Sequence, residues 1–431
     1  MFSIMDGIMS IEEIYHAQNP WWEQKTWERG IERKTYLDRM LELHGRKQVG
    51  VIVGGRRAGK TTILRQLIGR LLDAGTQPAS VVYLQLDHPQ LVSMTALEHL
   101  REVRGMFRHP RERELHLFLD EVQDSPDWER QVKAMVDGES VKVVCTGSTS
   151  ALLGMQGGLL TGRQIALTVH PLSFGEFLQF RGKRPALSES YLLEGLADDY
   201  LQTGGYPEQV LSPSDDYLRA LVDDILARDI LRRIPLRRPA VLHDLLRHLA
   251  ACVGSRVSFN KIGKILGTDP DTIKDYVGHM ASAFLVGLLE KWTPSHAERV
   301  YAQKKVYLLD TGIKRFLTGE GDLGAKAESA VFIQLLREGR EAGYFVHDQK
   351  EVDFVVGGPE APTAIEVKYE PRFDWQDGRL GGLKAFLRRH PGTRRAIVLT
   401  RGAEATLREN KTAVAAVPLW KFLLEGAGAF L

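Results

Sequence analysis

The eight residues GGRRAGKT (54–61) constrain this chain more than any other segment. An apolar run, VGVIVGG (49–55), precedes them and reads as a strand. TTILRQLIGRLLDAG (61–75) follows, with apolar residues at helical spacing and a terminal Gly75. Gly54, Gly59, Lys60 and Thr61 satisfy the pattern G-x-x-x-x-G-K-T. Glycine lets backbone N–H groups turn inward and approach an anion without a Cβ clash. A helix opening at Lys60 aims its positive dipole end at the same point. Average residue frequencies produce this pattern in a chain of this length about once in a hundred. The reading is a polyphosphate cradle formed by Gly54, Gly55, Arg56, Arg57, Ala58, Gly59, Lys60, Thr61 and Thr62. Lys60 reaches the β- and γ-phosphates and Thr61 offers its hydroxyl to Mg²⁺.

A second apolar run, LHLFLDE (115–121), ends on two carboxylates. A buried strand that delivers acids at its C-terminal end suits metal-assisted nucleotide hydrolysis. Asp120 is read as the Mg²⁺ carboxylate and Glu121 as the general base. VKVVCTG (141–147) is a further strand, at whose end Thr146 and Ser148 are either γ-phosphate sensors or a turn of satisfied hydroxyls. Arg163 is either an arginine finger serving a neighbouring subunit or a surface arginine. With SVVYLQLD (80–87) as another strand, strand and helix alternate, which predicts a parallel sheet covered by helices on both faces. The implied cofactors are ATP and Mg²⁺.

At 431 residues the chain exceeds one comfortable core, so two or three domains are expected. No apolar run approaches the ~18 residues of a membrane span. The start, with Asp6, Glu12 and Glu13, does not read as a signal peptide. Cys145 and Cys252 match no metal spacing and suggest a reducing cytoplasm. The formal net charge of +2 announces no nucleic-acid binder, although RRIPLRRP (232–239) is either a solvated helix end or a phosphate contact.

Beyond about 190 the pattern is helical, broken by GGYPE (204–208). Helices are expected at 244–253, at 258–267 with Ser258 as cap, and at 269–292 with Asp269 or Asp271 as cap and Pro270 in the first turn. This is a helix-turn-helix arrangement, with KKVYLLD (304–310) as a wing strand. Lys261, Lys264, Thr272 and Lys274 are its candidate phosphate contacts, and DNA binding and a structural use stand equally open. The tail reads as helix 325–338, strands 343–347, 351–356 and 363–369, helix 378–390 and strand 394–399.

Taken together, GGRRAGKTTIL, LFLDEVQDSPDWE, VCTGSTSALL, GRQIALTVHPLSFGEFL, LQTGGYPEQV and the final E-x-K stretch resemble a prokaryotic AAA-type ATPase family whose C-terminal domain is similar to PD-(D/E)XK nucleases. The resemblance spans about 33–425 and implies an α/β fold. Its parts would be an N-terminal leader (1–35), a P-loop AAA-like parallel-sheet ATPase domain (36–185), a helical lid (186–238), a winged helix (239–318) and a PD-(D/E)XK-like α/β domain (319–431).

KEVDFVVGGPEAPTAIEVKYE (350–370) carries the nuclease expectation. Glu366 and Lys368, at i and i+2 on one strand, share a face. A hairpin would appose Asp353 to them, and Glu328 on the preceding helix matches an extra acid that many such cores carry. Glu328, Asp353 and Glu366 would bind Mg²⁺, and Lys368 would orient the nucleophile. The alternative is a degenerate fold used for docking. The expected function is an ATP-hydrolysing, homo-oligomeric ring acting in the cytoplasm on DNA, including branched DNA, with a nuclease-like tail. The alternative is an ATP-dependent signalling switch with an inert docking tail.

Overall fold

The computed structural model describes residues 9–147, 160, 162–185, 189–232, 238–409 and 411–431. The chain forms two compact units, Met1–Val169 and His170–Leu431.

In the first unit, strands β1 (Val49–Gly54), β2 (Val81–Gln85), β3 (Leu115–Asp120), β4 (Val141–Gly147) and β5 (Gln164–Val169) form a sheet in the order β2-β3-β4-β1-β5. Every neighbouring pair is parallel. β1 and β3 are buried at every residue, which is why they read as continuous apolar runs. Helices Lys60–Asp73, Ala96–Met106 and Trp128–Gly138 connect the strands. Because all strands run the same way, the ends of β1, β3 and β4 open on one edge of the sheet. That edge carries the 54–61 loop, Asp120 and Thr146.

The leader, as far as it is described, belongs to this unit. Ser10 and Glu13 form a reciprocal capping box that opens helix Ile11–Gln18. Asn19 then binds the outer strand β2 as a neighbouring strand would. Its Nδ2 donates to the Tyr83 carbonyl (2.9 Å) and its Oδ1 accepts from the Tyr83 N–H (2.7 Å). The Trp21 indole, 5% exposed, donates to the Val81 carbonyl (3.0 Å).

The second unit starts at His170, so residues 170–185 belong to it. Helices Phe174–Phe180, Ser190–Thr203, Pro207–Leu211, Asp215–Asp224 and Val241–Ala251 lead to a small sheet. Strands β6 (Arg256–Val257), β7 (Val286–Leu289) and β8 (Lys304–Leu308) pair antiparallel in the order β6-β8-β7. Between β6 and β7 lie helices Phe259–Leu266 and Pro270–Ser282, capped by Ser258 and Asp269 as expected. The single helix expected over 269–292 is corrected: it stops at Ser282, Phe284 takes a left-handed φ of 57°, and Val286–Leu289 becomes β7. An apolar run such as FLVGLL is compatible with either state, and pairing with β8 decides.

The tail holds β9 (Ala342–His347), β10 (Lys350–Val356), β11 (Thr363–Val367), β12 (Arg395–Thr400), β13 (Ala405–Glu409) and β14 (Thr412–Pro418). They form one mixed sheet, β13-β14-β12-β11-β10-β9. One apolar cluster runs from Leu172 to Ala427, through the helical segment, the three-stranded sheet and the tail sheet.

The GGYP segment has a structural explanation. Asp310, 4% exposed, caps helix Thr311–Thr318 and also accepts from the Gly205 N–H (2.7 Å). A Cβ on Gly204 would sit 2.3 Å from Asp310 Oδ1, one on Gly205 2.5 Å from the Leu172 carbonyl, and one on Gly312 2.2 Å from the Thr203 carbonyl. Two turns are thus locked at backbone distance, which only glycine permits. Gly205→Ala should lower stability by about 1–3 kcal/mol, the range for overpacking, measured by urea unfolding. Wild-type stability would contradict this contact.

Candidate functional site

The loop after β1 closes tightly. Gly54 has φ 156° and its missing Cβ would lie 2.2 Å from the Val169 carbonyl. Gly59 is left-handed at φ 98° and precedes the first residue of helix Lys60–Asp73. Lys60, 5% exposed, folds across the loop and donates to the Gly54 and Gly55 carbonyls (3.1 Å each). The first-turn N–H groups of this helix point into the cradle with a cation beside them, the arrangement that binds polyphosphate.

The acids at the end of β3 meet this loop. Asp120, 2% exposed, accepts from Thr61 Oγ1 (2.8 Å) and the Tyr83 phenol (2.8 Å) at one oxygen, and from the Thr146 hydroxyl at the other. Three hydroxyls from the loop helix, β2 and β4 therefore hold one carboxylate at the mouth of the site. Burial and the Asp120 charge push the Tyr83 phenol well above its ordinary value, so it remains a donor. Glu121 follows in a left-handed conformation (φ 54°), its N–H bonded to Thr146 Oγ1 (3.1 Å) and its carboxylate bonded by Gln123. Burial raises the Glu121 carboxyl above the usual carboxylate value, partly offset by Lys60. A raised carboxyl is a better proton acceptor.

The sequence reading missed Tyr83 and Arg33. Arg33 is 1% exposed, donates to the Ala58 carbonyl of the loop (2.8 Å) and lies 4.5 Å from the Tyr36 ring centroid. Gln66, on the loop helix, donates to the Arg29 (3.0 Å) and Ile31 (2.8 Å) carbonyls. The segment before helix Lys34–His44 thus props the loop from behind.

Arg163 stands elsewhere. Gln164 pairs with Val49 at the start of β1, whereas Gly54 pairs with Val169. Arg163 is therefore at the far edge of the sheet, roughly 17 Å from the loop at strand rise, and its guanidinium pairs with Asp137. Arg163 thus stands apart from this copy's own loop, as either a residue serving a neighbouring copy or a surface arginine would. Ser148 lies outside the described residues, as do 233–237 of RRIPLRRP, whose Arg238 donates to Thr268 Oγ1 (3.1 Å).

Strand pairing does bring the tail carboxylates together. β10 and β11 are antiparallel, and Asp353 Oδ2 accepts from the Val367 N–H (2.9 Å). Lys368 Nζ donates to Glu366 Oε1 (2.7 Å), leaving the buried Glu366 Oε2 without a partner. Lys305, 1% exposed, enters the group from β8. Its Nζ contacts Glu351 Oε1 (2.7 Å), Glu328 Oε1 (3.1 Å) and Asp353 Oδ1 (3.2 Å). The Tyr307 phenol donates to Glu328 Oε1 (2.6 Å). Burial, then the Asp353 charge, push Glu328 up to about 7 and Glu366 up to about 8. Among the described residues no group of three or more His, Cys, Asp or Glu is arranged to hold a metal ion. An ammonium group thus stands among the carboxylates that the sequence assigns to Mg²⁺, in contact with Glu328 and Asp353.

Residues 46–178 match a family profile described as an AAA domain, and residues 194–324 match one described as a domain of unknown function. An uncharacterized protein of Haemophilus influenzae is 26% identical over 79% of this chain and 87% of its own. One of Methanocaldococcus jannaschii is 27% identical over 75% of each. Among solved structures, a Walker-type ATPase of Pyrococcus abyssi is similar at TM-score 0.44 and 14% identity, over 68% of this chain and 97% of that one. The AAA match and the parallel α/β sheet support an ATP-binding and ATP-hydrolysing first unit. Among the described residues no helix is long and apolar enough to cross a membrane.

Tyr83→Phe removes one of the three hydroxyls on Asp120 and leaves the ring. It should weaken Mg²⁺-dependent ATP binding about 3- to 10-fold, the worth of one such bond, with ADP binding in EDTA unchanged. Calorimetry checks it; equal Mg²⁺ dependence would remove Tyr83 from the site.

Proposed function

We propose that this chain is a Mg²⁺-dependent AAA-type ATPase working as a homo-oligomer. The observation that carries the reading is the buried Asp120, pinned to Thr61 Oγ1 beside the glycine cradle. A hydroxyl and a carboxylate in contact at the first turn of the loop helix suit Mg²⁺, so the donor set fits. The cradle amides of 54–61 and Lys60 would hold the phosphates, Thr61 and Asp120 the metal, which offsets phosphate charge when bound. Glu121 orients and deprotonates the attacking water, and Thr146 fixes both Asp120 and the Glu121 backbone. Arg33 and Gln66 keep the loop in shape. A guanidinium from a neighbouring copy, Arg163 being the candidate the sequence offers, would complete the site.

DNA is the substrate supported by the order helix, strand, helix, helix, strand, short helix, strand over 241–308, which is that of a winged helix with the helix His296–Tyr301 inserted between its two wing strands. Lys261, Lys264 and Lys274 are exposed there, but Asp271 and Asp275 share the exposed surface of helix Pro270–Ser282, and Thr272 Oγ1 is engaged with Asp269 (2.6 Å). Such a mixed face gives a modest phosphate contact. The second reading, an ATP-dependent regulatory switch with an inert docking tail, is favoured by one observation: Lys305 among the tail carboxylates. Gel shifts with linear and branched DNA separate the two. Binding that weakens with salt supports the first reading, and its absence at low salt supports the second.

Lys60→Ala should abolish ATP turnover, and retained turnover would mean the wrong loop. Glu121→Gln should lower kcat by about 10²–10⁴-fold while ATP still binds. Because burial raises the Glu121 carboxyl, the base is lost as pH falls through a value above 4.5, so the acid limb of kcat should lie above that pH and vanish in Glu121→Gln. An acid limb unchanged in the variant would assign it to another group.

A further inference from the structure

We infer that the carboxylate centre of the tail carries its own cation, Lys305, and is closed by it to divalent metal, so the tail does not cleave phosphodiesters with metal-activated water. Lys305 and Tyr307 stand at i and i+2 on β8, and both reach Glu328 Oε1. Glu351 and Asp353 do the same from β10, and Glu328 comes from helix Leu323–Arg337. An ammonium group has three N–H donors, and three carboxylates within 3.2 Å use them.

Most of the oxygens a metal would need are engaged. Asp353 Oδ1 faces Lys305 and Oδ2 faces the Val367 N–H. Glu328 Oε1 is shared by Lys305 and Tyr307, and Oε2 lies against Gly254, whose absent Cβ would come within 2.7 Å. Glu366 Oε1 is bonded by Lys368, which leaves Oε2 as the single buried orphan of the group. Mg²⁺ demands about six oxygens at about 2.1 Å. An ammonium at this point both blocks that approach and repels a second cation. The three carboxylates, conversely, are kept together by the same ammonium, since like charges at this spacing separate without a counterion.

The inference is independent of what the ATPase acts on. It is tested with the full chain, free of nucleotide, by electron paramagnetic resonance of added Mn²⁺, with Lys305→Gln, the double variant Lys305→Gln/Asp353→Asn, and Asp353→Asn. Wild type and Asp353→Asn should bind Mn²⁺ alike. Lys305→Gln should gain one equivalent, bound about tenfold or more tightly than any tail site of the wild type, and lose it in the double variant. One equivalent in the wild type that disappears in Asp353→Asn would overturn the inference. A Lys305→Gln protein that is folded by circular dichroism but gains no site would overturn it too. If Lys305→Gln does not fold, the comparison of wild type with Asp353→Asn decides alone, and Lys305→Arg checks that charge suffices for folding.

Discussion

The first unit depends on how one buried carboxylate is satisfied. Asp120 stays in a dry place because Thr61, Tyr83 and Thr146 donate to it. These donors come from the loop helix, β2 and β4, so the bonds that stabilise the charge also register three segments distant in sequence. A buried polar network of this kind rigidifies when every member is partnered. The nucleotide loop inherits that rigidity on one side, and Arg33 and Gln66 supply it on the other.

The second unit solves two similar problems differently. Asp310 is held by backbone N–H groups, which demands glycine at 205 and 312 because the chains approach too closely for a Cβ. The tail carboxylates are too many for backbone donors and recruit an ammonium group instead. Neutral donors leave a carboxylate able to meet an incoming cation, whereas an internal lysine removes that opportunity. The chemistry available at Asp120 and at Asp353 differs for this reason, although both carboxylates stand on strands and are largely shielded from solvent.

What could be read in the sequence follows from the range of the interactions. The strand, glycine loop and helix around 49–75 are local, and so are the capping residues Ser258 and Asp269; spacing alone revealed them. The grouping of Asp353, Glu366 and Lys368 was legible because a hairpin joins neighbouring strands. Tyr83 and Lys305 were not, since each meets its carboxylates only through pairing across the fold, and a tyrosine or lysine in an apolar strand carries no local sign of its partner. β13 and β14 escaped notice because TLRENKTAVAAVP mixes charges and alanines that give no clear period.

The side chain of Asn19 has a consequence for the solubility of the first unit. An outer strand with free amides is an invitation to polymerise, and this asparagine occupies both the N–H and the carbonyl of Tyr83 as a dummy sixth strand, with the Trp21 indole closing the next carbonyl. A fragment begun at residue 36, where the domain expected from the sequence starts, would strip this cover and leave β2 open to fibril-like stacking of one copy on another.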